Sequence, residues 1–340
     1  MVTLPVPSVG RGRGRLQVAF LGSGFIAEVH SRHLRVLRDT WQASYASRDL
    51  ARAERLRQRF GGRAYQGYDA ALADPEIDAV VVAVPPKWHL ELTLAAVSAG
   101  KHVLVEKPAF TTLTDYQSAC AARDDAGVTV LVGENDHYKP LALTLRRLLA
   151  AGTIGELVMA SFTTIADKPK PADDWRNDET LAGGDAFFEE GVHWLHFAGS
   201  LGPRIVRVSG HRPAPATTET PASGGSDRRG RSQLVAFDYD NGAVGALFYS
   251  REVPSLLRGL RVSKLYGRRG VITFESNGAA VLVRTHGAVP RLVRTPWRDI
   301  RGYQAMYRDF AAAIRAGSQP EMSLERAQAD HVLIEQVARG

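Results

Sequence analysis

One cysteine is all the thiol chemistry this chain holds. Cys120 stands alone among 340 residues, which excludes an intramolecular disulfide and a multi-cysteine metal site and agrees with a reducing compartment. Long apolar runs are missing as well. The longest, such as residues 79 to 86 and 128 to 132, fall far short of the ~20 residues a membrane-spanning helix needs. Nor is charge of one sign gathered anywhere. The 43 Lys and Arg exceed the 36 Asp and Glu, for a net +7, but the arginines are scattered rather than striped, so neither nucleic acid nor membrane is expected as a partner. The excess suits anionic small molecules, or reflects no more than an arginine-rich proteome. The opening MVTLPVPSVGRGRGR lacks an apolar signal core and a cleavage site; residues 1–15 read as a disordered leader on a cytoplasmic protein.

What is present is apolar content of 44%, enough for two cores in a chain of this length. Residues 16–133 alternate buried strands with helices: LQVAFL, a helix from Phe25, QASYAS, the charged DLARAERLRQRF, then the strands around Val81, HVLV and VTVLV. Near-continuous apolar strands separated by helices indicate a parallel, doubly wound Rossmann-like sheet. From 134 to 340 the strands lengthen and alternate, as in SQLVAFDYDNGAVGALFYSRE, where Asp240-Asn241-Gly242 marks a hairpin. This half is expected to be an α+β domain with a large, mostly antiparallel sheet. With one face left open, that sheet would join a homodimer or homotetramer. Residues 212–232, rich in Pro, Gly, Ser and Thr, read as a mobile loop.

Gly22-Ser23-Gly24-Phe25-Ile26-Ala27 follows the first strand and opens a helix. The first glycine makes the turn, the second lets backbone amides approach a pyrophosphate, and Ala27 supplies the small third position. Gly22, Gly24, Phe25 and Ile26 are therefore dinucleotide contacts. At the end of the second strand stand Ser47 and Arg48, where a carboxylate would favour NAD. A hydroxyl and a guanidinium suit a 2′-phosphate, so NADP(H) is favoured, with NAD(H) possible through Asp49. Asn135, Asp136, His137 and Tyr138 follow the sixth strand, where ligands gather in such sheets; they are candidate substrate contacts, Asn135 and Tyr138 above all, unless the segment is a polar turn.

Gly22-Ser23-Gly24, then Glu106-Lys107-Pro108, then Gly183-Gly184 and Glu189-Glu190-Gly191-Val192-His193 resemble the glucose-fructose oxidoreductase / inositol dehydrogenase / rhizopine catabolism (Gfo/Idh/MocA) family. The resemblance spans about residues 16–338 and implies hydride transfer between a nicotinamide and a sugar, cyclitol or related hydroxy or keto compound. It places Lys107 beside nicotinamide and substrate, often before a cis proline, with Glu106 fixing the lysine or the cofactor. His193 takes the place of the proton-transferring histidine in Asp-x-Gly-x-His. Trp175 and Arg176 resemble a pair near the substrate, and Pro85, Pro86 and His89 the segment under the cofactor riboses. Two departures stand out. Glu189 replaces the motif aspartate with a longer arm, and His196 occupies a position that often carries a second Asp.

Alcohol oxidation releases a hydride and a proton, and the nicotinamide handles only the hydride. An imidazole as a class titrates near working pH, which suits His193 to take the proton, while Lys107 can hydrogen-bond the substrate oxygen. Lys107, His193 and Glu189 are thus the catalytic candidates. Glu189, His193 and His196 share a helical face suited to zinc, but no further ligands accompany them and no metal is assigned. His30 and His33 are expected to pack or face water. The leading reading is an NADP(H)-dependent oxidoreductase. A catalytically silent dinucleotide-binding regulator or scaffold, motivated by Glu189, and a glycoside hydrolase or lyase using the nicotinamide transiently are the alternatives.

Overall fold

A computed structural model describes residues 14–168, 170–171, 173–214, 231–254, 261–276 and 278–339. Most of the expected leader and of the 212–232 loop lies outside the described residues. The chain divides into two compact units, Met1–Asn135 with Tyr303–Gln328 and Asp136–Gly302 with Ala329–Gly340.

The first unit holds a six-stranded parallel sheet of β1 (Leu16–Leu21), β2 (Trp41–Ser47), β3 (Ala64–Gln66), β4 (Ala79–Val82), β5 (His102–Val105) and β6 (Val130–Val132). The order β3-β2-β1-β4-β5-β6 reverses between β1 and β4, which is where such folds open a crevice for ligands. The intervening helices are α1 (Phe25–Leu34), α2 (Leu50–Phe60), the short α3 (Asp69–Ala73), α4 (His89–Ser98) and α5 (Leu113–Ala126). Strands β4 and β5 are buried at every position, as their unbroken apolar sequence requires when helices cover both faces. Punctuation is local: Thr112 and Asp115 form a capping box at α5, and Gly127 closes it in the left-handed conformation.

The second unit contains α6 (Pro140–Ala150), β7 (Leu157–Ile165), the short α7 (Glu179–Ala182), α8 (Ala186–Gly199), β8 (Ile205–His211), β9 (Ser232–Tyr239), β10 (Val244–Ser250), β11 (Val262–Gly267), β12 (Gly270–Glu275), β13 (Ala280–Thr285) and β14 (Arg291–Arg294). Its eight strands run β14-β13-β12-β11-β7-β10-β9-β8. All neighbours are antiparallel except β7 and β10, which pair in parallel from Met159 against Val244 to Ile165 against Ser250. The Asp240-Asn241-Gly242 turn forms as expected, with Gly242 at φ 83° and Ala243 N donating to Asn241 Oδ1 at 3.1 Å. One sheet face carries Phe162, Phe237, Leu247, Leu265 and Phe274 into a core with Leu145, Trp194, Leu195 and Phe197. The other shows Val158, Val206, Val244, Phe248 and Leu282 to solvent.

The last helices, α9 (Tyr303–Ala316) and α10 (Leu324–Arg339), differ from a reading of 134–340 as one domain, because residues 303–328 return to the first unit. Aromatic packing draws α9 there: Trp41 stacks on Phe310 at 5.5 Å and its Nε1 donates to Tyr307 O at 3.1 Å. Among the described residues no helix is long and apolar enough to cross a membrane.

Candidate functional site

In the first unit, the turn after β1 depends on glycine for two separate reasons. Gly22 has φ 119°, and a Cβ there would lie 2.3 Å from Ala83 O at the end of β4. Gly24, the N-cap of α1, supplies no side-chain cap, and a Cβ on it would meet nothing within 4 Å. A ligand can therefore approach the backbone at Gly24 closely, at the positive end of the α1 dipole, and the residues present fit a pyrophosphate. Phe25 beside it is 73% exposed, a large apolar side chain where a ligand could cover it. Ile26 is half-buried.

At the end of β2, Ser47 Oγ accepts from Ser23 Oγ at 3.0 Å and from Asp49 N at 3.2 Å. The Asp49 carboxylate caps α2, accepting from Ala51 N at 3.0 Å. Arg48 is exposed next to Tyr68, whose phenol is raised by burial while Arg48 pulls it back. A hydroxyl and a guanidinium stand at this edge, and the neighbouring carboxylate is occupied.

Lys107 and Pro108 are joined by the cis peptide that the resemblance implied. Two buried histidines flank this motif. His89 sets Nε2 2.7 Å from Val84 O and Nδ1 2.9 Å from Pro108 O and 3.0 Å from Ala109 O. Its ring therefore ties the end of β4 to the segment after Lys107, engaging backbone where a ribose contact was expected. Burial holds its pKa low, against the pull of the Val84 carbonyl. The other is His30, which packs as expected and also does more. Its Nε2 lies 2.8 Å from Glu106 Oε1, off the line of the ring N–H, and its Nδ1 lies 2.7 Å from Tyr307 Oη. Burial alone would raise the Glu106 pKa, but His30 and then Lys107 and His89 outweigh it and keep the carboxylate ionised. Glu106 Oε2 also accepts from Lys107 N at 3.3 Å, and a Cβ on Gly133 would lie 2.8 Å from Oε1. The acid of the motif is fixed from below. Pro85 is half-buried, and Asn135 ends this unit in a 3-10 turn reaching Tyr138.

In the second unit α8 presents the histidine pattern. Asp185 caps it, accepting from Phe187 N at 3.0 Å and Phe188 N at 2.9 Å. Gly191 is needed there because a Cβ would lie 2.6 Å from the Phe187 ring. Glu189 meets Trp175 and Arg176: its Oε1 lies 3.5 Å from Arg176 Nε, while the Arg176 guanidinium lies 4.5 Å from the Trp175 ring centroid and 3.2 Å from both Asp174 oxygens. So the Trp175–Arg176 pair expected at the substrate and Glu189 come together through Arg176. Glu190 binds Lys168.

The turn before α6 brings Asp136 and His137, candidate substrate contacts by sequence, together with Lys139 and two histidines of α8. Asp136 Oδ1 lies 2.7 Å from Lys139 Nζ, and a carboxylate oxygen of Asp136 and a ring nitrogen of His193 lie within 4.8 Å. Burial would raise the Asp136 pKa; Lys139 and His193 lower it on balance. Tyr138, expected at the substrate, is 4% exposed, its ring edge-on to His137 at 4.9 Å. His137 Nδ1 lies 2.9 Å from His196 Nε2, and His196 Nδ1 lies 2.7 Å from Asp330 Oδ2. Glu189 and His196 are thus taken up by Arg176 and by His137 with Asp330, not by a common zinc position.

Residues 16–134 match the model of an oxidoreductase family with an NAD-binding Rossmann fold (GFO_IDH_MocA), and residues 142–273 match the GFO/IDH/MocA C-terminal domain. A D-xylose 1-dehydrogenase (NADP(+)) of Haloferax volcanii is 29% identical over 285 residues, 83% of this chain and 84% of the relative. An uncharacterized oxidoreductase of Rhizobium meliloti is 36% identical over 293 residues, 82% of this chain and 83% of the relative. The solved structure of levoglucosan dehydrogenase with NADH and levoglucosan superposes with a TM-score of 0.83 at 21% identity, covering 96% of this chain and 98% of that one.

Proposed function

The chain belongs to the GFO/IDH/MocA family of NAD(P)-dependent oxidoreductases, and from that premise we propose that it transfers hydride between NADP(H) and a sugar, cyclitol or related hydroxy or keto compound. The observation that carries the cofactor half is the glycine turn at α1, open at Gly24 and at the positive end of the helix. Preference for NADP(H) is supported by Ser47 and Arg48 at the ribose end and by the commitment of Asp49 to capping α2. The xylose relative is named for NADP(+), whereas levoglucosan dehydrogenase was solved with NADH. A sugar-like substrate is supported by the names of both.

The bound nicotinamide would supply or accept the hydride. Gly22, Gly24, Phe25, Ile26, Ser47, Arg48, Pro85 and Glu106 line or support its half of the site, with His89 acting on the loop that carries Lys107. Lys107 hydrogen-bonds the reacting oxygen and stabilises negative charge on it; His193 takes the proton in oxidation and returns it in reduction. Trp175 and Arg176, held by Glu189, meet the substrate with Asn135. A panel of aldoses and polyols with NADP(+), and of their keto products with NADPH, tests this. Turnover is expected, and Lys107→Met with His193→Ala should remove it by at least about 1000-fold. Turnover that survives the pair would overturn the assigned roles.

A further inference from the structure

Residues 136–138 of the 3-10 turn and helix α8 meet in matched steps inside the second unit. Asp136 and His137 are adjacent on the turn, and His193 and His196 stand one turn apart on the helix. An oxygen of Asp136 and a ring nitrogen of His193 lie within 4.8 Å, in a group that also holds an oxygen of Glu134. His137 addresses His196 at 2.9 Å, and His196 continues to Asp330 on α10 at 2.7 Å. His137 and His196 are buried.

The hydrogens in this relay can be counted. His196 Nδ1 faces a carboxylate and must donate to it. Arg146 Nη2 donates to His137 Nδ1 from 2.9 Å, so that nitrogen accepts, and the hydrogen between the two rings sits on His196 Nε2. With a hydrogen on each nitrogen, His196 would satisfy both contacts, its charge matched by Asp330. Arg146 holds the same turn from the other side, donating Nη1 to His137 O at 3.0 Å, Nε to Ser200 O at 2.8 Å and Nη2 to Ser200 Oγ at 3.1 Å. A buried lattice this complete leaves the His137 backbone little freedom, and Asp136 is its immediate neighbour.

We propose that Asp136, held in place by the His137–His196–Asp330 relay, is the carboxylate that positions His193, while Glu189 serves Arg176. This rests on the reading of His193 as the proton-transfer group. A carboxylate beside an imidazole selects its tautomer and stabilises the cation formed when it takes a proton. Contacts of this kind are often long before substrate binds and tighten with it. Glu189 Oε1, by contrast, lies against a guanidinium already shared with Asp174, where it orients an arginine. The positioning carboxylate has moved from the helix that carries the histidine to the turn facing it, and His196 with Asp330 supplies the support that the turn needs.

Steady-state kinetics and histidine side-chain ¹⁵N spectra of the full chain test this. Asp136→Asn should lower kcat about tenfold or more, with KM and the NADPH dissociation constant within about twofold, and should shift the His193 ring resonances. Glu189→Gln should act chiefly on KM and leave those resonances in place. His196 should show two protonated nitrogens, lost in Asp330→Asn and restored in Asp330→Glu. His193 resonances that move in Glu189→Gln and stay fixed in Asp136→Asn would overturn the proposal. Because the spectra need no turnover, a wild-type chain inert toward every sugar and polyol would count against the proposed activity alone, and the His193 resonances would still decide this point.

Discussion

Arg48 is the residue on which the proposed preference for NADP(H) turns. Its neighbour Asp49 has its carboxylate on Ala51 N, so a 2′-phosphate arriving at Ser47 would meet a hydroxyl and a guanidinium without an opposing free acid. Replacing Arg48 by Ala should weaken NADPH about 10- to 100-fold, the worth of a charge-assisted contact, and leave NADH nearly unchanged. Fluorescence titration of both nucleotides reads this directly. NADH binding at least as tightly as NADPH to the wild-type chain would remove the preference. At this scale the sequence is legible wherever the chemistry is local. The need for Gly22 and the turn at Lys107-Pro108 follow from neighbours along the chain. The partner of Glu106 does not, because His30 is set on α1 and held by Tyr307 on α9. Nor does the exchange of Glu189 for Asp136, since no spacing in sequence says that Arg176 will claim the glutamate first.

Among the elements, α5 and α10 are joined by one ion pair whose strength depends on acidity. Arg123 is buried, and its Nη2 lies 2.7 Å from Glu325 Oε1. The Arg123 hydrogen bond brings the Glu325 pKa from 4.5 down to about 2, against the opposing effect of burial. A folded value below the unfolded one means stability present above about pH 4.5 and lost as pH falls toward 2. Glu325 is 56% exposed, so solvent screening makes the loss a modest one. Thermal melts of wild type between pH 6 and 3 should show this added acid sensitivity, and Arg123→Met should flatten it. Equal slopes for the two proteins would exclude the pair as its source. Element positions themselves were largely readable in β1 through α5, because strands buried on both faces are nearly all apolar and their helices end on Gly100 and Gly127. The parallel seam between β7 and β10 was not, because alternation records which face is buried and not which neighbour is chosen.

At the scale of the molecule, the eight-stranded sheet leaves a face with Val158, Val206, Val244, Leu282 and Phe248, the last 46% exposed. We infer that a second copy of the chain covers this face, as the alternation of its strands suggests. Sedimentation should find a dimer or tetramer at micromolar concentration, and Phe248→Glu with Val206→Glu should shift it to smaller species without changing the fold by circular dichroism. A wild-type monomer would refute it. The first unit carries a different consequence. Trp41 and His30 complete their packing only against Tyr307 and Phe310, residues that leave the ribosome after the whole eight-stranded sheet of the second unit has been made. A nascent chain can build the six-stranded sheet early, but the histidine beneath Glu106 stays without its tyrosine until α9 has emerged. The carboxylate beside Lys107 thus receives its full support only after the eight-stranded sheet has been synthesised, which ties completion of the first unit to synthesis of the second.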